Sequence, residues 1–136
     1  MTSVRLTRSG ALAPAPYAHA ATAPAGSRLI FLAGACPLDE DGSTTAPGDY
    51  AAQAAQCMRN LQEALRASGA ALTDVISTRV LIAAPSRVDF VAAWDVVQEA
   101  FGRHDVPSTL LGVTVLGYDD QLVKIETVAA LAEDGR

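Results

Sequence analysis

Histidine and cysteine are scarce in this chain, and their scarcity narrows its chemistry first. Of 136 residues, two are histidine and two are cysteine. His19 and His104 lie in different regions, and no HExxH or CxxC spacing occurs, so no metal site is expected. Cys36 and Cys57 cannot build a disulfide framework. Cys57 falls on a helical face and Cys36 beside a strand end, which predicts reduced thiols. A serine triad would want a GxSxG elbow, and none is present. No glycine-rich phosphate loop occurs either. Basic residues are also few: ten Lys and Arg against fifteen Asp and Glu leave a net charge of −5. That balance argues against a nucleic-acid or anionic-membrane surface. The longest apolar run, LIFLAGA, is strand-sized and too short to span a bilayer. MTSVRLTRSG at the start has no apolar signal-peptide core, so a cytoplasmic protein is expected. With no repeat, low-complexity segment or long linker, residues 1–136 are expected to form one domain.

What is abundant is apolar surface. Half of the residues are hydrophobic, more than a small monomer needs to bury, and this favours an oligomer. RLIFLAG (28–34) is apolar on both alternating faces and predicts a strand buried on both sides. A Gly-, Pro- and Asp-rich loop follows. From Asp49 to Ser68, Ala54, Cys57, Met58, Leu61 and Leu65 recur at helical spacing, with Asp49 as N-cap and Gly69 as the stop. DVISTRVLIA (74–83) returns to a strand pattern. Ser86 and Asp89 have capping-box spacing before a second helix, whose stripe is Phe90, Ala93, Trp94, Val97, Ala100 and Phe101. Strands over 108–116 and 123–131, candidates to pair with each other across Gly117-Tyr118-Asp119-Asp120, complete the chain. This order predicts one mixed sheet with both helices on one face.

Alternation then puts Val123, Ile125, Thr127, Ala129 and Leu131 on one side of the last strand, and Lys124, Glu126, Val128 and Ala130 on the other. The second set is too apolar for water and too polar for a dry core. A subunit interface holding a small pocket fits it. Candidate chemistry then rests with Glu126, Asp95, Tyr17 and the Ser108–Thr109 pair. Glu126 on a half-buried face can act as a general base on water, or it can be an ion-pair partner of Lys124 or of a neighbouring subunit. Asp95 reads more simply as a solvated helix residue and Ser108–Thr109 as a strand start after Pro107, while Tyr17 reads equally as loop packing.

APAPYAHA, LIFLAGACPLDEDG, NLQEALRASGAALTDVISTRVLI, DF…EAF, P-S-T…GV and VKIETVA, in that order over residues 14–131, resemble the RidA (YjgF) family. The resemblance implies a chorismate-mutase-like α+β fold, a homotrimer with pockets between subunits, and no metal or organic cofactor. It implies hydrolysis of small 2-imino acids to 2-oxo acids and ammonia, with a small-molecule ligand as the only partner besides the chain's own copies. Glu126 in IETVA matches the family glutamate that handles water, and Tyr17 matches the pocket tyrosine. Gly34 matches the glycine after the first core strand, while Ala35 stands where glutamine is usual. Asp95 falls where asparagine is expected. Ser108 occupies the position of the carboxylate-binding arginine, with Thr109 and Leu110 as the binding positions beside it.

The loss of that arginine has a physical consequence. A guanidinium presents a charged fork to a carboxylate, whereas a serine offers one donor and no charge. Burying an uncompensated carboxylate costs several kcal/mol. A deficit of ~3–4 kcal/mol slows a reaction a few hundred-fold or more. The expected protein is therefore a RidA-like trimer acting on or binding a small imine, enamine or carbonyl compound, with 2-imino acid hydrolysis weak or absent. Arg28, Arg79 and Arg103 are the candidates for a replacement cation. A non-catalytic binding or regulatory trimer, or a specialised biosynthetic enzyme, is the alternative.

Overall fold

A computed structural model describes residues 2–133. The elements are β1 (Arg5–Thr7), β2 (Ala20–Thr22), β3 (Arg28–Phe31), α1 (Tyr50–Ala67), β4 (Val75–Ile82), α2 (Arg87–Phe101), β5 (Ser108–Gly112) and β6 (Val123–Leu131). Four strands form one mixed sheet in the order β3-β6-β4-β5, with β4 and β5 parallel and the other pairs antiparallel. Both helices pack on one face, as expected for this α+β arrangement.

Local sequence explains both helices. Asp49 accepts a hydrogen bond from the Ala52 amide at 2.9 Å and so satisfies one of the free N–H groups of α1. At the other end Gly69 takes φ +83°. Its amide bonds the Arg66 carbonyl and the Ala70 amide bonds the Leu65 carbonyl, closing the α1 terminus as a Schellman motif. Ser86 caps α2 through the Val88 amide at 3.2 Å. The reciprocal arm of a capping box is missing among the described residues, because Asp89 is one methylene shorter than the usual glutamate.

Ala54, Cys57, Met58, Leu61 and Leu65 of α1 meet Ala93, Val97 and Phe101 of α2 over Val80, Ile82, Val123, Ile125 and Ala129 of the sheet. All of these are buried. Gln53, also buried, donates to the Ala46 and Asp120 carbonyls and accepts from the Leu122 amide. One side chain thereby ties two loops to α1.

Three expectations are corrected. The segments 108–116 and 123–131 do not pair, because β4 lies between them. The α2 crossover returns the chain parallel to β4 on its free edge, as a βαβ connection requires. The expected strand at 108–116 ends at Gly112: β4 stops at Ile82, whose carbonyl takes its last bond from Val113, and residues beyond find no partner backbone. Finally, β3 is an edge strand shorter than 28–34, with Leu29 54% and Phe31 74% exposed. Its apolar residues on the side away from the helices lie open in the isolated chain.

Candidate functional site

Two separate recesses hold five of the candidate residues, Tyr17, Ser108, Thr109 and Leu110 in one and Glu126 in the other. At the sheet edge, Tyr17, Trp94, Ser108, Thr109 and Leu110 line a recess of about 460 Å³. Tyr17 comes from the loop between β1 and β2, an N-terminal hairpin that the sequence reading did not anticipate. Arg8 clamps that loop. Its guanidinium donates to the Tyr17 carbonyl at 2.8 Å and pairs with Asp105 at 2.5 Å, while the Ala18 amide bonds the Asp105 carbonyl at 2.7 Å. The Tyr17 ring then meets the Trp94 indole edge to face, with centroids 6.3 Å apart and planes at 80°. Aromatic quadrupoles favour this geometry. Ser108 donates its hydroxyl proton to the Val106 carbonyl at 2.8 Å.

The second recess, about 240 Å³, lies on the sheet face away from the helices and is lined by Phe31, Leu32, Ser77, Arg79, Glu126, Thr127 and Val128. Glu126 of β6 stands directly opposite Arg79 of β4, with Arg79 Nε 3.3 Å from Glu126 Oε1. The inner-face hydroxyl of Thr78 donates to the Glu126 carbonyl at 2.9 Å and holds that backbone in register. Thr109 is the parallel partner of Arg79, so Thr109, Arg79 and Glu126 form a transverse row on one side of the sheet. Ser108 is the partner of the inward-facing Thr78 and belongs to the opposite side.

One chain therefore does not assemble the expected site. Glu126 lies two strand spacings from β5, roughly 10 Å, and shares no recess with Tyr17 or Ser108. Gly34 and Ala35 line neither recess. Ala35 is buried and forms an antiparallel bridge to Ile125, with N–H to O distances of 2.7 and 3.0 Å. Gly34 lies beneath the aliphatic stem of Lys124, which occupies the space a Cβ would need. Asp95 is exposed on α2 and lines neither recess; Trp94, one residue earlier, faces the edge recess instead. A helix turns about 100° per residue, so a one-residue misplacement moves a side chain to another face. Trp94 already belonged to the apolar stripe of α2, and that periodicity was the signal for it. Arg79 is placed beside Glu126 by the β4–β6 register, which no local pattern reports.

Among the described residues, no cluster of three or more His, Cys, Asp and Glu side chains could hold a metal ion, and no helix is long and apolar enough to cross a membrane.

Comparison with known proteins fits this geometry. The family model described as Endoribonuclease L-PSP matches residues 8–131. A RutC family protein of Pyrococcus horikoshii is 31% identical over 114 residues, covering 84% of this chain and 86% of the relative. The 2-iminobutanoate/2-iminopropanoate deaminase of Bos taurus is 34% identical over 101 residues, 72% of this chain and 70% of that enzyme. Among solved structures, the Rid-family protein YyfB of Yersinia pestis superposes with a TM-score of 0.88 at 26% identity, over 95% of this chain and 99% of its own. E. coli TdcF, solved with bound serine, superposes with a TM-score of 0.64 at 25% identity over 86% and 89%.

Proposed function

The chain belongs to the Endoribonuclease L-PSP family, the RidA/YjgF family, and from that premise we propose that it works as a homotrimer whose pocket joins the edge recess of one copy to the open sheet face of the next. The observation that carries this reading is the separation of the two recesses. Within one chain Tyr17 and Ser108 share no recess with Glu126, and a contact between copies is what would bring them together. The exposed Phe31, which lines the Glu126 recess, and Leu29 on the same side of β3 supply apolar area for such a contact.

In that pocket Glu126 handles water or a proton, and Tyr17 closes over a small imine, enamine or carbonyl compound. Relatives named as 2-iminobutanoate/2-iminopropanoate deaminases support hydrolysis of a C=N bond as the reaction class. The family description also names an endoribonuclease; the net charge of −5 argues against RNA as the ligand here. Hydrolysis of 2-imino acids is weak or absent, because the edge recess lining holds no cation for a carboxylate and Arg79, the cation of the sheet-face recess, is already paired with Glu126. The protein acts in the cytoplasm and uses no metal or organic cofactor.

The test uses freshly generated 2-iminopropanoate with wild type, Ser108→Arg and Glu126→Ala. Slow turnover by wild type and a gain in Ser108→Arg are expected. Rapid wild-type turnover would overturn the reading of Ser108, and a Glu126→Ala variant as active as its parent would remove Glu126 from the chemistry. The Arg79–Glu126 ion pair favours a second reading. In it Glu126 is a structural partner and the trimer binds a metabolite without turnover, as a regulator or in a specialised biosynthetic step. A ligand that raises Tm without being consumed would select it.

A further inference from the structure

Trp94 occupies the recess where the sequence comparison anticipated a polar residue, and it changes what the recess can accept. Its lining comprises two aromatic rings, one leucine and two hydroxyl side chains, with no charged side chain among them. Tyr17 and Trp94 stand nearly perpendicular, so together they form a corner with one ring face and one ring edge. A flat ring seated there stacks on one wall and meets the other edge-on, both favoured contacts. A volume of about 460 Å³ accommodates a substituted benzene ring.

The polar atoms point the same way. Ser108 donates its one hydroxyl hydrogen bond to the Val106 carbonyl, so that donor is already engaged and is not offered to a carboxylate. Arg8, the guanidinium that holds this loop, is already paired with Asp105 and bonded to two backbone carbonyls. The Tyr17 and Thr109 hydroxyls make no hydrogen bond among the described residues and are available to a neutral acceptor such as a carbonyl oxygen or an imine nitrogen.

We infer that the edge recess selects an uncharged, planar aromatic carbonyl or imine, with Trp94 as the specificity-determining residue. This deepens the proposed function, on which it rests, by naming the ligand class of the same site.

Trp94 is the only tryptophan in the chain, so tryptophan fluorescence reports on the surroundings of this recess. The experiment titrates the intact protein with acetophenone, with benzoylformate (the same aryl ketone carrying a carboxylate in place of the methyl group) and with pyruvate. Acetophenone is expected to quench Trp94 saturably and to bind about tenfold or more tighter than benzoylformate; pyruvate is expected to leave the fluorescence unchanged. By calorimetry, Trp94→Asn is expected to lose about tenfold or more of the acetophenone affinity. Ser108→Arg, which keeps the reporter, is expected to reverse the preference toward benzoylformate and covers the case in which Trp94→Asn fails to fold. Benzoylformate binding as tightly as acetophenone, binding of neither ketone, or unchanged acetophenone affinity in a folded Trp94→Asn would each overturn the inference. None of these outcomes touches the role of Glu126, which is read from turnover and decides the proposed function separately.

Discussion

Arg79 and Glu126 face each other as direct cross-strand partners of β4 and β6, with Nε 3.3 Å from Oε1. Their side chains are 56% and 42% exposed, so solvent screens the attraction. Exposed pairs of this kind contribute ~0–1 kcal/mol. A double-mutant cycle with Arg79→Met and Glu126→Gln, read by urea denaturation, is therefore expected to give a coupling energy below about 1 kcal/mol. A larger coupling would mean that the pair is desolvated in the assembled protein.

Gly112 and Gly34 make a contrasting pair. A Cβ on Gly112 would lie 2.7 Å from Cζ of Phe90, a stiff, half-buried ring of α2 that must rotate or shift to admit it. Gly112→Ala is expected to destabilise the fold by ~1–3 kcal/mol through overpacking. At Gly34 the obstacle is the far end of the Lys124 side chain, which can rotate away. Gly34→Ala is expected to cost under about 1 kcal/mol. Chemical denaturation of the two variants gives the comparison, and equal losses would contradict it.

Cys57 is fully buried and its thiol donates to the Val123 carbonyl at 3.6 Å. Burial, with a smaller contribution from Cys36, pushes the Cys57 thiol up. The thiolate is the reactive form, so a thiol reagent at pH 8 is expected to modify the half-buried Cys36 first and Cys57 only on unfolding. The sign of the pH effect follows. Unfolded Cys57 loses its proton above about pH 8.5 while the folded thiol keeps it, so stability falls as pH rises through that value. Cys57→Ala is expected to flatten that alkaline decline, measured as Tm against pH.

Phe31 is 74% exposed on the sheet face that holds Glu126. If that face is the subunit contact, Phe31→Glu places a charge in an apolar interface and is expected to convert a trimer into monomers in sedimentation experiments, while the circular dichroism of the chain is retained. A trimer surviving this substitution would move the interface elsewhere.

The two helices were legible because an α-helix reveals itself locally. Leu61 and Leu65 recur at its own period, and Asp49 and Gly69 solve the hydrogen-bonding problem at its ends. Val123, Ile125 and Thr127 likewise announced the inner face of β6 by alternation. The strand neighbours were not legible. The two apolar segments either side of Gly117-Tyr118-Asp119-Asp120 look like a hairpin, yet β4 intervenes, because strand pairing is decided by the α2 crossover rather than by the connecting turn. The apolar β3 looked buried and lies open for a related reason: it is an edge strand whose outer side, with Leu29 and Phe31, no element of the chain covers.

What the sequence determined by itself was the two helices, the inner faces of α1, α2 and β6, and the family, since periodicity, capping residues and ordered motifs are properties of neighbouring residues. Tertiary structure decided which side chains meet. It set Arg79 against Glu126 through the β4–β6 register, turned Trp94 rather than Asp95 into the recess, and separated Glu126 from Ser108 by a whole strand. Those relationships depend on rotations of about 100° per helical residue and on single steps of strand register. An error of one residue is invisible in a sequence and sends a side chain to the other face.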